Sequence, residues 1–212
     1  MDKAQPNDDL ARAACRLAYS RPARHYPSTG ANPRTKAYAR VYGAIFGKTD
    51  TKRRAPNVWN VQGRSCDRSV ASIVRHSGYD DGMPRTCAAI YAHLLKSTRW
   101  KNLGKWSGKE SDLKPGDILI RLKAWEGVSG NHVCMFVGKS IAAEVYETRL
   151  RGTDADKGEP TGSWVSGHLA GGNPPDKGYA PCIGDAKYAG ARTSARVFRC
   201  VKPQKSTKYT NL

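Results

Sequence analysis

Gly63-Arg64-Ser65-Cys66-Asp67-Arg68-Ser69-Val70-Ala71-Ser72-Ile73-Val74 is the stretch that decides how the chain is read. A turn signal runs into Ser65, a good N-cap, so Cys66 falls in the first turn of a helix. Unpaired backbone N–H groups and the helix dipole stabilise a thiolate there and lower the thiol pKa. Val70, Ile73 and Val74 follow Cys66 by four, seven and eight positions. The sulfur therefore shares the apolar face and points at whatever this helix packs against. Later in the chain, Asn131-His132-Val133-Cys134-Met135-Phe136-Val137-Gly138 reads as a strand with a histidine near its start. A cysteine at a helix start facing a histidine on a sheet is what thiol-dependent acyl transfer requires.

Such chemistry needs a third, polar group to orient the imidazole. Side chains alternate along a strand, so His132 shares a face with Cys134 and Phe136. Gly138-Lys139-Ser140 reads as a hairpin turn onto a strand over Ile141–Thr148. A three-residue loop places Glu144 diagonal to His132, and a two-residue loop places Glu147 there. A one-residue slip exchanges the faces, so only one of the two acids can serve. Cys134 is the rival nucleophile, but a strand position offers it no helix terminus. A metal site built from Cys66, His132 and His168 lacks ligand spacing.

Around this pair, Leu113-Lys114-Pro115-Gly116-Asp117 reads as a tight turn entering a strand over Ile118–Leu122. Arg85–Lys96 reads as a helix with Ala88, Tyr91, Leu94 and Leu95 inward, and Trp100–Ser111 as irregular. Residues 149–194, rich in Gly, Pro, Asp and Lys, read as a weakly patterned insertion with His168 in a loop. Ala195–Val201 closes the fold as a strand, followed by a loose basic tail. Toward the N-terminus, acids at Asp8 and Asp9 open a helix whose Leu10, Ala14 and Leu17 form an apolar stripe for docking. A second helix is expected over Thr35–Phe46. His25, His76 and His93 read as surface or packing residues. The division is a helical extension at 1–55, a main domain at 56–203 carrying the 149–194 insertion, and a tail at 204–212.

Lys and Arg number 36 against 18 Asp and Glu, for a net charge of +18. Such an excess opposes self-association, so a monomer is expected, and it draws the chain to polyanions. Anionic wall polymer, anionic membrane and nucleic acid all satisfy it. No run reaches the roughly 18–20 apolar residues of a membrane span. Met1–Asp9 is polar and acidic with no apolar segment behind it, which does not read as a secretory signal. Six cysteines without a Cys-x-x-Cys pair read mostly as buried free thiols.

The helix-borne Cys66, the Leu-Lys-Pro-Gly-Asp strand entry and Asn131-His132-Val133-Cys134-Met135-Phe136-Val137-Gly138 together resemble the NlpC/P60 papain-like peptidases, relatives of the CHAP amidases. The likeness spans roughly residues 56–148 plus the closing strand. It implies an α+β fold of papain-like type, with helices packed on a central antiparallel sheet. It also implies a third site position about twelve residues after the histidine, which is Glu144. Implied too is hydrolysis of amide bonds in bacterial peptidoglycan, with stem peptides as substrate and no cofactor. A lysin acting at the cell wall, borne by a phage or mobile element, fits that picture. Cys66 would form the acyl-enzyme, His132 would be the base, and Glu144 would hold the ring. Trp59, Asp67 and Trp100 are assigned to substrate binding, with Trp106 beside them. The chain departs from the family's Asp-Cys-Ser-Gly at Ser65-Cys66-Asp67-Arg68, and Asn57 and Trp59 stand where a tyrosine is usual. The competing reading is a non-catalytic basic protein on the same fold, either a nucleic-acid binder or a phage structural component. A thiol acyltransferase for protein or lipid is a third.

Overall fold

The computed structural model describes residues 7–18, 41, 43–46, 65–122, 130–150, 162–170, 178–187 and 189–211. Their helices are α1 (Asp8–Leu17), α2 (Ser65–His76), α3 (Cys87–Lys96) and α4 (Lys139–Leu150). The strands are β1 (Trp100–Lys105), β2 (Ile118–Arg121), β3 (His132–Phe136), β4 (Trp164–Ala170), β5 (Gly178–Gly184) and β6 (Arg196–Cys200). The strands form one antiparallel sheet in the order β1-β6-β2-β3-β4-β5. The fold is α+β.

Alternation along the strands gives the sheet two unequal faces. Ile118, Ile120, Val133, Met135, Val165 and Phe198 point to the face that packs against α1, α2 and α3, with α4 joining the same core through α1. Val70, Ile73 and Val74 of α2 are completely buried there, as their spacing predicts. Each such side chain contributes about 1.5–3 kcal/mol. The apolar stripe of α1 docks into the same core, where Leu10 and Ala14 are fully buried. Leu119, Cys134, Phe136, Trp164 and Val197 point the other way, under Trp106, Leu113, Ala189 and Ala195. Trp164 meets Trp106 and Phe136 edge-on, with ring centroids 5.3 and 5.1 Å apart.

The Lys-Pro-Gly-Asp turn binds the sheet to the helices. The Gly116 N–H donates to Phe136 O (2.8 Å), and Phe136 N–H returns a bond to Asp117 O (2.9 Å). Gly116 has φ +86°, and a Cβ there would stand 2.7 Å from the Asn7 Cβ at the start of α1. Only glycine permits that approach. The Asp117 carboxylate is wholly buried, accepts from Lys114 N–H, and takes two hydrogen bonds from Arg199 of β6 at 2.6 and 2.8 Å.

Five expectations need correction here. On α3 the buried positions are Cys87, Ile90 and Leu94, whereas Ala88 and Leu95, expected inward, are exposed. Ile141–Thr148 is not a strand: Gly138 (φ +76°) ends β3, and the chain turns into α4. Ile141, Ala142 and Val145 are buried at helical spacing. Trp100–Lys105 is a strand, unreadable in advance because an edge strand has one neighbour and four of its six residues are exposed. The 149–194 stretch supplies β4 and β5 and so part of the sheet itself, with His168 in β4. The chain after Lys202 is tied back: Gln204 N–H donates to Tyr79 O and Ser206 N–H to Gly78 O, both at 2.9 Å. The 3.6-residue expectation over Thr35–Phe46 lies mostly outside the described residues, of which Val41 and Gly43–Phe46 are helical.

Candidate active site

α2 begins at Ser65, which is its first helical residue and not the cap expected, and Cys66 still occupies the first turn. The β3–β4 ladder is confined to Met135–Val165 and Phe136–Trp164. Toward the start of β3 the ladder stops, and Val133 is not paired with a β4 residue in it. Side chains fill the gap. The Val133 N–H donates to the Cys66 sulfur, and Val133 O accepts from the Ser166 hydroxyl at 3.1 Å. The Cys66 sulfur is thus seated in the open end of the sheet. That position reconciles a paradox of alternation: His132 lies on the face opposite the helices, yet it hydrogen-bonds to a sulfur carried by one of them.

Two helix N-termini converge on the sulfur. The Thr86 hydroxyl caps α3 by accepting from Ala89 N–H (3.3 Å), which places Cys87 at its first position. Asp67 is buried, and its carboxylate accepts from Arg68 N–H (2.9 Å) and from the Cys87 N–H. One carboxylate therefore ties the start of α2 to the start of α3. It leaves the Cys66 and Cys87 sulfurs 4.0 Å apart.

These contacts set the ionisation of the pair. The Cys66 thiol is pulled down to about 4, chiefly by the hydrogen bond with Cys87. Burial opposes this, while His132 and the Val133 N–H assist it. With Cys66 ionised, Cys87 S–H is the donor. Burial alone would lower His132, but hydrogen bonds to Cys134 and Cys66 and the nearby negative charge raise it to about 10. Burial, and then the Cys66 thiolate, push the Asp67 carboxyl up. Both shifts favour the thiolate–imidazolium form of the pair.

Among the described residues, the groups at His132 Nε2 are a backbone carbonyl and a hydroxyl. His132 Nε2–H donates to Ala189 O at 2.5 Å, with the Ser166 hydroxyl 3.4 Å away as a weaker acceptor. With Nε2 so committed, Nδ1 is the nitrogen left to exchange a proton with sulfur. Gly190 stacks on the ring: it has φ +68°, and a Cβ there would lie 2.8 Å from Nε2.

Cys66 and His132 are brought together, and Glu144 is not with them. Glu144 stands exposed on α4, paired with Arg12 through two bonds of 3.0 and 3.1 Å. The correction follows from the helical course of the 139–150 segment. Asp67 is likewise withdrawn from substrate binding, because it is spent on capping α3. Trp100 is buried, with its Nε1–H donating to Asp80 Oδ2 (2.9 Å), and Trp106 is buried in the second core. Neither lines a groove. Trp59 and Glu147 lie outside the residues whose side chains are described. Ser166, Ala189 and Cys87 carried no signal as members of the site. A backbone carbonyl has no residue type to recognise, and Cys87 stands 21 positions away on another helix.

Among the described residues no group of His, Cys, Asp and Glu is arranged to hold a metal ion, and no helix is long and apolar enough to cross a membrane. No family model, curated protein or solved structure matches the chain.

Proposed function

We propose that the protein is a cysteine peptidase or amidase that hydrolyses amide bonds in the stem peptides of bacterial peptidoglycan, acting at the cell wall. The observation that carries this reading is the hydrogen bond between a helix-borne Cys66 thiolate and a His132 imidazolium whose other nitrogen is anchored. The Cys66 thiolate attacks the carbonyl carbon of the substrate. The tetrahedral oxyanion is met by the Cys66 backbone N–H at the start of α2. His132 passes its Nδ1 proton to the leaving amine, which departs and leaves an acyl-enzyme. The neutral imidazole then takes a proton from water, and the resulting hydroxide releases the acid. No cofactor enters this cycle. The peptidoglycan assignment and the papain-like form of the fold rest on the motif likeness at Cys66, Lys114–Asp117 and His132. The charge of +18 suits anionic wall polymers.

Zymography on cell-wall material, wild type beside Cys66→Ala and His132→Ala, tests the reading. Clearing by the wild type alone is expected, with losses of at least about 10³-fold in both variants. Equal inactivity of all three, with salt-sensitive retardation of DNA, would replace it with the basic-binding alternative.

A further inference from the structure

The Cys87 sulfur is in contact with the nucleophile and has no step in the hydrolytic cycle. Its position is built rather than incidental. Thr86 caps its helix, and the buried Asp67 carboxylate holds the Cys87 amide beside the residue that follows Cys66. The two sulfurs stand 4.0 Å apart, and about 2.05 Å is the length of a disulfide bond. Closing them asks for a small movement between two helix first turns. Cys66 is only partly buried, whereas Cys87 is buried. A small oxidant can meet the first sulfur, and the second waits behind it.

We propose that Cys66 and Cys87 form a dithiol that reacts with hydroperoxides, with Cys66 as the oxidised thiol and Cys87 as the resolving one. The Cys66 thiolate attacks the nearer oxygen of a hydroperoxide. A sulfur–oxygen bond forms, the oxygen–oxygen bond breaks, and the departing alkoxide or hydroxide takes the proton of His132. The Cys87 sulfur then attacks the Cys66 sulfenic sulfur. The disulfide forms and the hydroxyl leaves as water with the Cys87 proton. Two thiols supply two electrons, and one peroxide becomes an alcohol (or water) and a second water. A bare thiolate of this kind would otherwise pass on to the irreversible sulfinic and sulfonic acids. Cys87 intercepts it, so oxidation silences the site reversibly. The silencing rests on the hydrolase reading, whereas the thiol chemistry does not.

The test exposes the full chain to one to a few equivalents of hydrogen peroxide, followed by intact-mass measurement and tryptic mapping. The wild type is expected to lose about 2 Da and two titratable thiols, and to yield peptide Ser65–Arg68 linked to Thr86–Lys96. Dithiothreitol should restore the mass and the wall-clearing activity to at least about nine-tenths of the untreated level. In Cys87→Ser, Cys66 should instead gain about 32 or 48 Da, which dithiothreitol does not remove. Accumulation of those acids in the wild type, or a link to Cys134 in place of Cys87, overturns the proposal. If the linked peptide forms in a protein that never clears cell wall, the dithiol stands and the hydrolase reading falls. If clearing depends on Cys66 and no link forms, the reverse holds.

Discussion

His132 owes its orientation to one backbone carbonyl, and the residue after that carbonyl is what allows the approach. Gly190 combines a positive φ with a Cβ position 2.8 Å from Nε2, so Gly190→Ala strains the turn and pushes the ring aside. The expected result is a fall in kcat/KM of roughly 10²-fold, for a stability loss of about 1–3 kcal/mol. Measuring both separates the displaced ring from simple unfolding. Ser166 offers Nε2 only a long second acceptor but also satisfies Val133 O, so its role is positioning. The ionisation of the pair sets the pH profile. Cys66, held down at about 4, gains its charge as pH rises through that value. His132, held up at about 10, loses its proton as pH rises through that one. The active pair is populated between, so kcat/KM should form a broad plateau with limbs near those two values, each belonging to the coupled pair. A single limb near pH 6.5 or 8.5, where free histidine and cysteine titrate, would show that the two do not interact.

At the scale of the element, α4 is the lesson. Ile141-Ala142-Ala143-Glu144-Val145 is short and apolar enough to satisfy both periods, and a turn at Gly138 suits a hairpin as well as a helix start. The arbiter is the buried set Ile141, Ala142 and Val145 packed against α1. Glu144 then faces outward, where its pair with Arg12 is more than half exposed on the acid's side. Such pairs contribute little in water. Glu144→Gln is therefore expected to leave wall clearing within about two-fold of wild type and to cost no more than about 0.5 kcal/mol in a denaturant titration. A 10²-fold loss of activity would return the acid to the site. α2 behaves in the opposite way. Its four-, seven- and eight-residue spacing from Cys66 fits the helical period alone, and the structure buries that stripe together with Asp67, Ser69, Ala71 and Ser72 around it.

Across the whole molecule, the turn at Lys114–Asp117 is where the sheet, the start of α1 and β6 are joined. Asp117 is fully buried and Arg199 is about one-fifth exposed, so the guanidinium cannot be left without its partner cheaply. Asp117→Ala is expected to cost about 3 kcal/mol, or roughly 6–12 °C in Tm for a chain of this length. Calorimetry would read this, and a change under 2 °C would mean that the ion pair adds nothing to the fold.

What the residues alone determine is whatever rests on short-range pattern. The helix that carries Cys66, the strand that carries His132, the tight Lys-Pro-Gly-Asp turn and the apolar run of β2 follow from patterns within a dozen positions. Tertiary structure alone decides the partners that converge from elsewhere. Ala189 offers its backbone carbonyl to His132, Asp67 reaches the amide of Cys87, and Cys87 reaches Cys66 across the gap between two helices. A carbonyl has no residue type, and a side chain's reach across space leaves no period along the chain. Those contacts exist because burial forces the elements together, and most buried polar groups then pair with whatever lies within a bond's length.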